Sequence, residues 1–294
     1  MKQFRIGIIG TENSHAHGFT ERINKPDEHG NMRYPDCHVT LVYGHYPEES
    51  ERVVKEFGAD AVADSIEQMV ENVDAVMITA RDGKFHYEFA KPFIEAGIPA
   101  FVDKPFTVDV QEAEALIALA KEKGVPLCGG SSLVFADAVE AAKRDVQAAG
   151  DDVIGGDVVA PVSMDNPYSG FFFYSSHLVE MTLEMFGYDP VCVSAVKNKH
   201  GVSAMVEYEN YCVSNHFHEN AYKYTTTVYK HEATDFHNVD ISMIGAKECD
   251  DFVNMLRTGQ MTRTYEQLIA PVYYMNAVKQ AYETGKTVKI FSEK

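Results

Sequence analysis

Residues 74–105 constrain the fold of this chain more strongly than any other stretch. A short apolar run at 75–78 leads through a polar loop into a segment with helical periodicity, and a second apolar run at 100–102 ends abruptly in Asp103-Lys104-Pro105. This order predicts a strand, a helix and a second strand, with polar residues at the carboxyl ends of both strands. Ligands of open α/β sheets bind at those ends. Lys104 is therefore the first candidate for a functional residue.

Strand and helix patterns alternate over residues 1–126, which predicts a doubly wound parallel sheet of the Rossmann-like, dinucleotide-binding kind. The pattern changes near Gly129-Gly130. Over residues 191–243 the apolar positions recur with a period close to two and are separated by turns, which predicts an open, mainly antiparallel sheet. We therefore predict an α/β chain with a Rossmann-like domain at 1–126 and an α+β domain for substrate binding and oligomerisation at 127–294.

The first predicted strand ends at Gly10 and leads into a helix, which is how a dinucleotide-binding unit opens. In the G-x-G-x-x-G fingerprint of that unit, two further glycines would stand where this chain has Glu12 and His15. Glu12 would bring a negative side chain close to a cofactor's diphosphate. Asn13 or Ser14 is the predicted N-cap, and the helix that begins there can bind an anion at its N-terminus.

The second predicted strand, 38–43, lacks the acidic residue that binds the ribose hydroxyls at this strand's end in a Rossmann site. The chain has Gly44-His45-Tyr46-Pro47 there. His45 and Tyr46 either stack on or hydrogen-bond an adenosine, or they are loop residues without a ligand. The same two interpretations stay open for His15 and His17, which line an altered cofactor site or are ordinary turn histidines.

The net charge of −18, from 26 basic and 44 acidic residues, argues against nucleic acid or an anionic membrane as a partner. No apolar run approaches the roughly 18–20 residues that span a bilayer, and the apolar stretch at the N-terminus is too short for a signal peptide. The five cysteines are far apart and form no C-x-x-C pair, which favours a reducing compartment and no structural zinc site. We expect a cytoplasmic protein that acts on a small molecule.

The central stretch resembles the hallmark of the glucose–fructose oxidoreductase / inositol dehydrogenase (Gfo/Idh/MocA) family. That hallmark is a strand, a small polar loop, a histidine that opens a helix, Ala-Gly before the next strand, and then Glu-Lys-Pro. This chain has Ile78-Thr79-Ala80, His86, Ala96-Gly97 and Asp103-Lys104-Pro105 at those places, and its run at 283–290 is also similar. The resemblance implies a two-domain oxidoreductase that uses NAD or NADP. It would pass a hydride between the nicotinamide and a sugar, inositol or related polyol bound between the domains.

The resemblance also implies roles for single residues. Lys104 would lie near the nicotinamide and a substrate hydroxyl, where it orients the substrate or helps its proton transfer. His177 matches an acid/base histidine, but the aspartate four residues before it in the family is Phe173 here, which leaves Glu180 or Tyr174 as alternative partners. The predicted cofactor contacts are residues of the turn and of the strand ends: Gly10, Thr11, Glu12, Asn13, Ser14, His45, Thr79, Ala80, His86 and Asp103.

Other functions stay open on the sequence alone. The altered glycine positions and the missing acids are compatible with a non-redox descendant of the family, such as a lyase, isomerase, hydrolase or ligand-binding protein. His216 and His218 share one strand face and, with His177, would supply nitrogen ligands for a metal. We favour two ordinary sheet-surface histidines and predict no metal. The apolar residues of the C-terminal sheet predict a homodimer or homotetramer through that sheet.

Overall fold

The computed structural model describes residues 2–291 and divides the chain into two compact units. Unit 1 comprises the chain up to Thr107, Gln111–Gly129 and Gly245–Leu268, and unit 2 comprises Val108–Val110, Gly130–Ile244 and the chain from Ile269. Among the described residues, no helix is both long enough and apolar enough to cross a membrane.

The strands are β1 (Phe4–Ile9), β2 (Cys37–Tyr43), β3 (Ala61–Val62), β4 (Ala75–Ile78), β5 (Ala100–Asp103), β6 (Leu127–Gly130), β7 (Val153–Val162), β8 (Cys192–Asn198), β9 (Gly201–Glu207), β10 (Cys212–Glu219), β11 (Thr225–Lys230), β12 (Thr234–Asn238) and β13 (Val288–Lys289). The α-helices are α1 (Ser14–Asn24), α2 (Pro47–Arg52), α3 (Ile66–Asn72), α4 (His86–Glu95), α5 (Val110–Lys123), α6 (Asp137–Ala149), α7 (Phe172–Phe186), α8 (Ile244–Thr258) and α9 (Tyr265–Thr284). A π-helical turn, Val53–Phe57, extends α2.

Unit 1 contains a six-stranded sheet in the order β3-β2-β1-β4-β5-β6. The pairs β3–β2, β2–β1, β1–β4 and β4–β5 are parallel. Every residue of β4 and β5 is buried, as expected of a parallel sheet covered on both faces. The strand order reverses between β1 and β4, so a ligand crevice is expected at the carboxyl ends of these two strands. The predicted doubly wound sheet is confirmed.

Helix α8 lies in unit 1 except for its first residue, although the sequence pattern assigned everything after residue 126 to the second domain. Cys249, Phe252 and Val253 of α8 pack into the same apolar core as Phe101 of β5. The rings of Phe101 and Phe252 lie 6.2 Å apart at 80°. Unit 1 is therefore discontinuous in sequence. Helical periodicity predicts that α8 buries one face, but it does not reveal which sheet that face covers.

Unit 2 contains a seven-stranded sheet in the order β12-β11-β7-β10-β9-β8-β13. Strands β7 and β10 run parallel, whereas β11–β12, β11–β7, β10–β9, β8–β9 and β13–β8 are antiparallel. Helix α7 covers one face, where Asn215 of β10 donates from Nδ2 to Oγ1 of Thr182 at 3.0 Å. The predicted open and mainly antiparallel sheet is confirmed.

Alternate residues of the same strands point to the other face of the unit 2 sheet. Large apolar side chains are exposed there: Val196 is 68% exposed, Met205 42% and Phe236 59%. His216, which follows Asn215 in β10, also points to this face, because successive strand residues alternate. We call this the outer face of the unit 2 sheet.

Candidate functional site

The turn between β1 and α1 requires glycine at its first position. Gly10 has a φ of +98°, and a Cβ there would lie 2.1 Å from the backbone nitrogen of Ala80. The hydroxyl of Thr79 is a donor 3.1 Å from the carbonyl oxygens of both Ile9 and Gly10. The predicted cofactor residues Gly10, Thr79 and Ala80 therefore lie together, at the point where the strand order of the sheet reverses.

Glu12, which stands where the second glycine was expected, turns its carboxylate toward the loop after β4. Its Oε1 accepts a hydrogen bond from the backbone N–H of Arg81 at 2.9 Å, and Nη2 of Arg81 donates to the backbone carbonyl of Glu12 at 2.7 Å. The positive guanidinium thus lies beside the negative turn. Sequence reasoning missed Arg81, and the only available signal was a cation directly after the strand end at Thr79-Ala80.

Asn13 is the N-cap of α1, and Ser14 follows as the first helical residue. The Oδ1 atom of Asn13 accepts from the backbone N–H of His15 at 3.2 Å. Its Nδ2 atom donates to the carbonyl of Thr79 at 2.9 Å and to Oδ2 of Asp103 at 3.2 Å. A single buried amide therefore joins the start of α1 to the ends of β4 and β5.

Asp103, the last residue of β5, forms a buried ion pair with His15. Its Oδ2 lies 2.8 Å from Nδ1 of His15, and its Oδ1 accepts from the backbone N–H of Lys104 at 2.7 Å. Burial alone would raise the pKa of Asp103. The positive charges of His15 and Lys104 lower it by more than burial raises it, so the net pKa lies below the usual value. Burial lowers the pKa of His15, and the Asp103 carboxylate outweighs this, so the net pKa of His15 is raised. Asp103 is ionised at neutral pH, and His15 holds its proton more firmly than a free histidine does.

Lys104 follows Asp103 and is only 6% exposed. The peptide bond between Lys104 and Pro105 is cis. The positive charge of Lys104 contributes to a lower pKa of both Asp103 and His15. A buried lysine amine at a strand end can exchange a proton with a bound hydroxyl group.

His86, the first residue of α4, is fully buried. Its Nδ1 lies 2.8 Å from the carbonyl oxygen of Pro105, and its Nε2 lies 2.7 Å from the carbonyl oxygen of Ala80. His86 therefore positions the loops after β4 and β5, because each of its ring nitrogens lies against a backbone carbonyl of one of these loops. Contact of His86 with a cofactor stays a prediction.

The end of β2 offers no room for the acid that a Rossmann site usually has. A Cβ on Gly44 would lie 2.7 Å from Oγ1 of Thr11. The buried Thr11 hydroxyl is held by a hydrogen bond of 2.8 Å to Oγ of Ser50. An acidic side chain at this position would have to displace that hydroxyl. The ribose hydroxyls bound by an acid in a Rossmann site would therefore need another donor or acceptor here.

His45 lies next to this position and is exposed. Its ring centroid is 4.6 Å from that of Phe85 and 5.0 Å from that of Phe89. The two phenylalanines come from the loop after β4 and from α4, so the aromatic group bridges the ends of β2 and β4. An adenine base could stack on the exposed imidazole, which is the stacking alternative left open by the sequence.

In unit 2, the imidazole of His177 is oriented by Ser131. The Nδ1 atom of His177 lies 2.7 Å from Oγ of the fully buried Ser131. The same Oγ accepts from the backbone N–H of Leu133 at 3.2 Å, and the backbone N–H of Ser131 donates to Oε2 of Glu180 at 2.7 Å. Glu180, one of the two partners left open by the sequence, thus holds the segment that carries Ser131. Tyr174, the other, has its ring centroid 5.9 Å from that of His177.

Ser131 was missed by sequence reasoning, although a signal for it existed. It comes directly after the last residue of β6, Gly130, just as Lys104 comes directly after the last residue of β5. Position after a strand end therefore indicates Ser131 as it indicates Lys104. Lys104 belongs to unit 1 and His177 to unit 2.

The histidines of β10 lie on the outer face of the unit 2 sheet, away from α7 and His177. Nε2 of His216 is 3.2 Å from Oδ2 of Asp157, and its Nδ1 is 3.1 Å from Oγ of Ser203. The hydrogen bond to Asp157 raises the pKa of His216 by more than burial lowers it. The sheet separates His216 and His218 from His177, so these three do not form one metal site. Within residues 2–291, no group of three or more His, Cys, Asp or Glu side chains could hold a metal ion.

Comparison with known proteins finds a family model that matches the first part of the chain. Residues 4–130 match the Gfo/Idh/MocA model, described as an oxidoreductase family with an NAD-binding Rossmann fold. The matched segment contains the Gly10 turn and Asp103-Lys104-Pro105. Over these residues the chain is similar to the Gfo/Idh/MocA family.

Named relatives are similar to this chain in sequence over limited segments. A segment of 85 residues is 35% identical to myo-inositol dehydrogenase Hyg17 of Streptomyces leeuwenhoekii and covers 29% of this chain and 26% of that protein. A segment of 66 residues is 36% identical to UDP-N-acetylglucosamine 3-dehydrogenase of Acidithiobacillus ferrooxidans and covers 22% of this chain and 21% of that protein. The matched segments therefore span 26% or less of the length of these two relatives.

The likeness in fold extends over nearly the whole chain. The crystal structure of scyllo-inositol dehydrogenase from Lactobacillus casei, with bound NAD(H) and scyllo-inositol, has a TM-score of 0.83 to this structure at 18% sequence identity. The alignment covers 99% of this chain and 100% of that one. At this identity the comparison shows the shared fold.

The turn between β1 and α1 suits a dinucleotide in two respects. Gly10 keeps the tight turn, and α1 begins with no acidic residue in its first turn, so its N-terminus is favourable for an anion. Glu12 departs from the fingerprint, but its carboxylate is bound to Arg81. The residues present therefore fit a cofactor of the NAD type, and Gly10, Asn13 and Ser14 would hold its diphosphate.

Proposed function

We propose that this protein is an NAD(P)-dependent oxidoreductase that transfers a hydride between the nicotinamide and a carbon of a sugar, inositol or related polyol. The observation that carries the proposal is Lys104, which is buried beside the ionised Asp103 at the ligand-binding end of β5. It lies within the segment that matches the NAD-binding family model. The names of the two relatives, one an inositol dehydrogenase and the other a nucleotide-sugar dehydrogenase, support the substrate class.

Lys104 would act on the hydroxyl group of the substrate. The bound cofactor would supply the hydride acceptor or donor. The Nζ group of Lys104 would bind the substrate oxygen. As the neutral amine it would take up the hydroxyl proton when the carbon is oxidised, and as the ammonium it would return that proton when the carbonyl is reduced. His86 holds the carbonyl oxygens of Ala80 and Pro105, so the segment around Lys104 is fixed from both neighbouring strand ends.

His177 is the second residue that we propose to be catalytic. Ser131 orients the ring through Nδ1, and the imidazole would exchange a proton with a substrate hydroxyl. An aspartate in the same role would add a negative charge next to the ring, whereas the serine hydroxyl orients the ring without adding that charge. The ring orientation is thus set by a neutral hydrogen bond.

A second candidate function is a non-redox protein of the same family, and Glu12 is the observation that favours it. A negative side chain at the second glycine position opposes binding of a diphosphate, and Gly44 leaves no acid for the ribose hydroxyls. In that case the strand-end chemistry of Lys104 would serve a lyase, isomerase, hydrolase or ligand-binding protein.

The outer face of the unit 2 sheet supports our proposal that the protein forms a homodimer or homotetramer. The exposed Val196, Met205 and Phe236 place apolar area on the outer face, and a second copy of the chain would cover it. Light scattering coupled to gel filtration tests this, and a purely monomeric protein would refute it. The free thiols Cys37, Cys128, Cys192, Cys212 and Cys249 support a cytoplasmic location, which cell fractionation tests.

The function is tested by cofactor binding followed by turnover. The purified protein is titrated with NADH and with NADPH while nicotinamide fluorescence is followed. It is then incubated with NAD+ or NADP+ and a panel of myo-inositol, scyllo-inositol, glucose and UDP-N-acetylglucosamine, and the reduced nicotinamide is measured by absorbance. We expect binding of one dinucleotide and its reduction by a member of the panel. Absence of binding at millimolar concentrations of both would refute the redox proposal and favour the second candidate.

A further inference from the structure

The imidazole of His15 is placed differently from an ordinary turn histidine. His15 is the second residue of α1, and its Nδ1 is held 2.8 Å from a carboxylate whose side chain is fully buried, that of Asp103. The side chain of His15 itself is 28% exposed. Within residues 2–291 the other ring nitrogen, Nε2, makes no hydrogen bond. One edge of the ring is therefore anchored in the protein, and the other is free to meet a ligand.

The charges around His15 favour its protonated form. Asp103 and Glu248 of α8 raise the pKa of His15, and Lys104 and burial lower it, with a net rise. Asp103 is itself held by Asn13 and by the backbone N–H of Lys104, so it cannot turn away from the ring without losing these bonds. The geometry of the buried carboxylate thus favours the protonated ring.

A positive charge in the first turn of α1 is unfavourable unless an anion is nearby. The N-terminus of a helix carries a partial positive charge of its own, and α1 has no acidic residue in its first turn to offset it. Asp103 is hydrogen-bonded to the Nδ1 side of the ring, whereas Nε2 has no hydrogen-bonded carboxylate among residues 2–291. Two positive groups, the helix N-terminus and the imidazolium, therefore act together on whatever binds at the turn.

We infer that the His15 imidazolium, positioned by Asp103, binds the diphosphate of the dinucleotide cofactor through Nε2–H. A glycine at this place in the fingerprint serves close packing of the helix on the strand, whereas His15 adds a charge-assisted hydrogen bond. This bond offsets the negative charge that Glu12 brings to the same turn. The inference rests on the proposed function, since it requires that an NAD-type cofactor binds.

The inference predicts that cofactor binding depends on pH through a single histidine. As the pH rises through the raised pKa of His15, the imidazolium loses its proton and the affinity for NADH falls. His15→Gln keeps a hydrogen-bond donor for Asp103 but carries no charge. We expect it to weaken NADH binding about tenfold at pH about 6.5, the loss typical of one hydrogen bond to a charged group, and to flatten the pH dependence. His15→Lys restores a cation and is expected to recover affinity that no longer changes between pH about 6 and 8.5.

His38→Gln is the matched control. Nε2 of His38 forms an ion pair of 2.8 Å with Asp60, but His38 lies near the amino end of β2, at the opposite edge of the sheet. We expect this variant to bind NADH as the unmodified protein does at every pH. Thermal melting of all variants checks that the fold is retained.

ADP-ribose separates a diphosphate contact from a role at the nicotinamide, because it keeps the diphosphate and lacks the nicotinamide ring. If His15 binds the diphosphate, His15→Gln weakens ADP-ribose and NADH to the same degree. Unchanged binding of both ligands, or weakening of NADH alone, overturns the inference while the proposed function stands. An unmodified protein that binds neither ligand refutes the proposed function, and the inference with it.

Discussion

The Oγ atom of Ser131 lies 2.7 Å from Nδ1 of His177, so a serine hydroxyl and not a carboxylate orients this histidine. The two residues are 46 positions apart in the chain and both are buried. Because Ser131 also accepts from the backbone N–H of Leu133, one hydroxyl fixes both the ring and the turn after β6. The contact gives His177 one defined orientation.

Ser131→Ala should release the His177 ring. It leaves the Leu133 N–H and His177 Nδ1 without their partner, at a cost of about 1–3 kcal/mol in the free energy of unfolding. The 15N NMR shifts of the His177 imidazole should change. They would not change if Ser131 served only to hold the turn through Leu133. The adjacent Ser132→Ala serves as the control. Identical imidazole shifts in Ser131→Ala and the unmodified protein would contradict this role.

Lys104→Ala should abolish turnover while cofactor affinity changes little. Loss of a residue that moves the substrate proton typically lowers kcat by about 10²–10⁴-fold. Steady-state kinetics with the best substrate of the panel and NADH titration measure the two quantities separately. Lys91→Ala, on the surface of α4 and paired with Glu95, is the control. A Lys104→Ala protein with unchanged kcat would show that Lys104 does not act in the reaction.

Glu12→Gly should strengthen cofactor binding. The substitution removes the negative charge from the turn and restores the second glycine of the fingerprint, and the added flexibility costs roughly 0.5–1 kcal/mol. We expect a lower Kd for NADH by fluorescence titration. Glu12→Gln keeps a hydrogen-bond acceptor for the Arg81 N–H but carries no charge. Its Kd for NADH should lie between those of Glu12→Gly and the unmodified protein. Weaker binding in Glu12→Gly would instead mean that the bonds between Glu12 and Arg81 support the bound cofactor.

His86→Leu should destabilise unit 1. It leaves the carbonyl oxygens of Ala80 and Pro105 buried without their donor, and each unsatisfied carbonyl costs about 1–3 kcal/mol. Urea unfolding measures the loss. His86→Gln retains a donor for one of the two carbonyl oxygens, so its free energy of unfolding should fall by less. The exposed His29→Leu is the control. If His86→Leu unfolds at the same urea concentration as the control, His86 does not hold the two strand ends together.

His216 should stabilise the fold more at low pH than at high pH. The hydrogen bond to Asp157 raises its pKa in the folded state, so its contribution is complete below the unfolded pKa of about 6.5. The contribution disappears as the pH rises through the folded pKa. The difference in Tm between the unmodified protein and His216→Gln should therefore shrink between pH about 6 and 8.5. For His218→Gln we expect no such trend, and a pH-independent difference for His216→Gln would contradict the prediction.

The sequence by itself determined the secondary structure and the place of the chemistry. β4 has the predicted bounds, and β1 ends as predicted just before Gly10, which has a positive φ. These features depend on local periodicity and on the conformational freedom of single glycines. Both can be recognised from residues close together in the sequence. The same local logic placed Lys104 at the end of a strand in an open α/β sheet, where ligands bind.

Only the tertiary structure decided which side chains meet at those strand ends. Asp103 and His15 are 88 positions apart, Ser131 and His177 are 46 apart, and α8 returns to unit 1 after more than a hundred residues in unit 2. Hydrogen-bond partners of this kind depend on how strands and helices are packed, and no period or motif in the sequence encodes the pairing. The sequence therefore named Asp103, Lys104 and His177 but not Arg81 or Ser131, and packing decided which of these side chains bind one another.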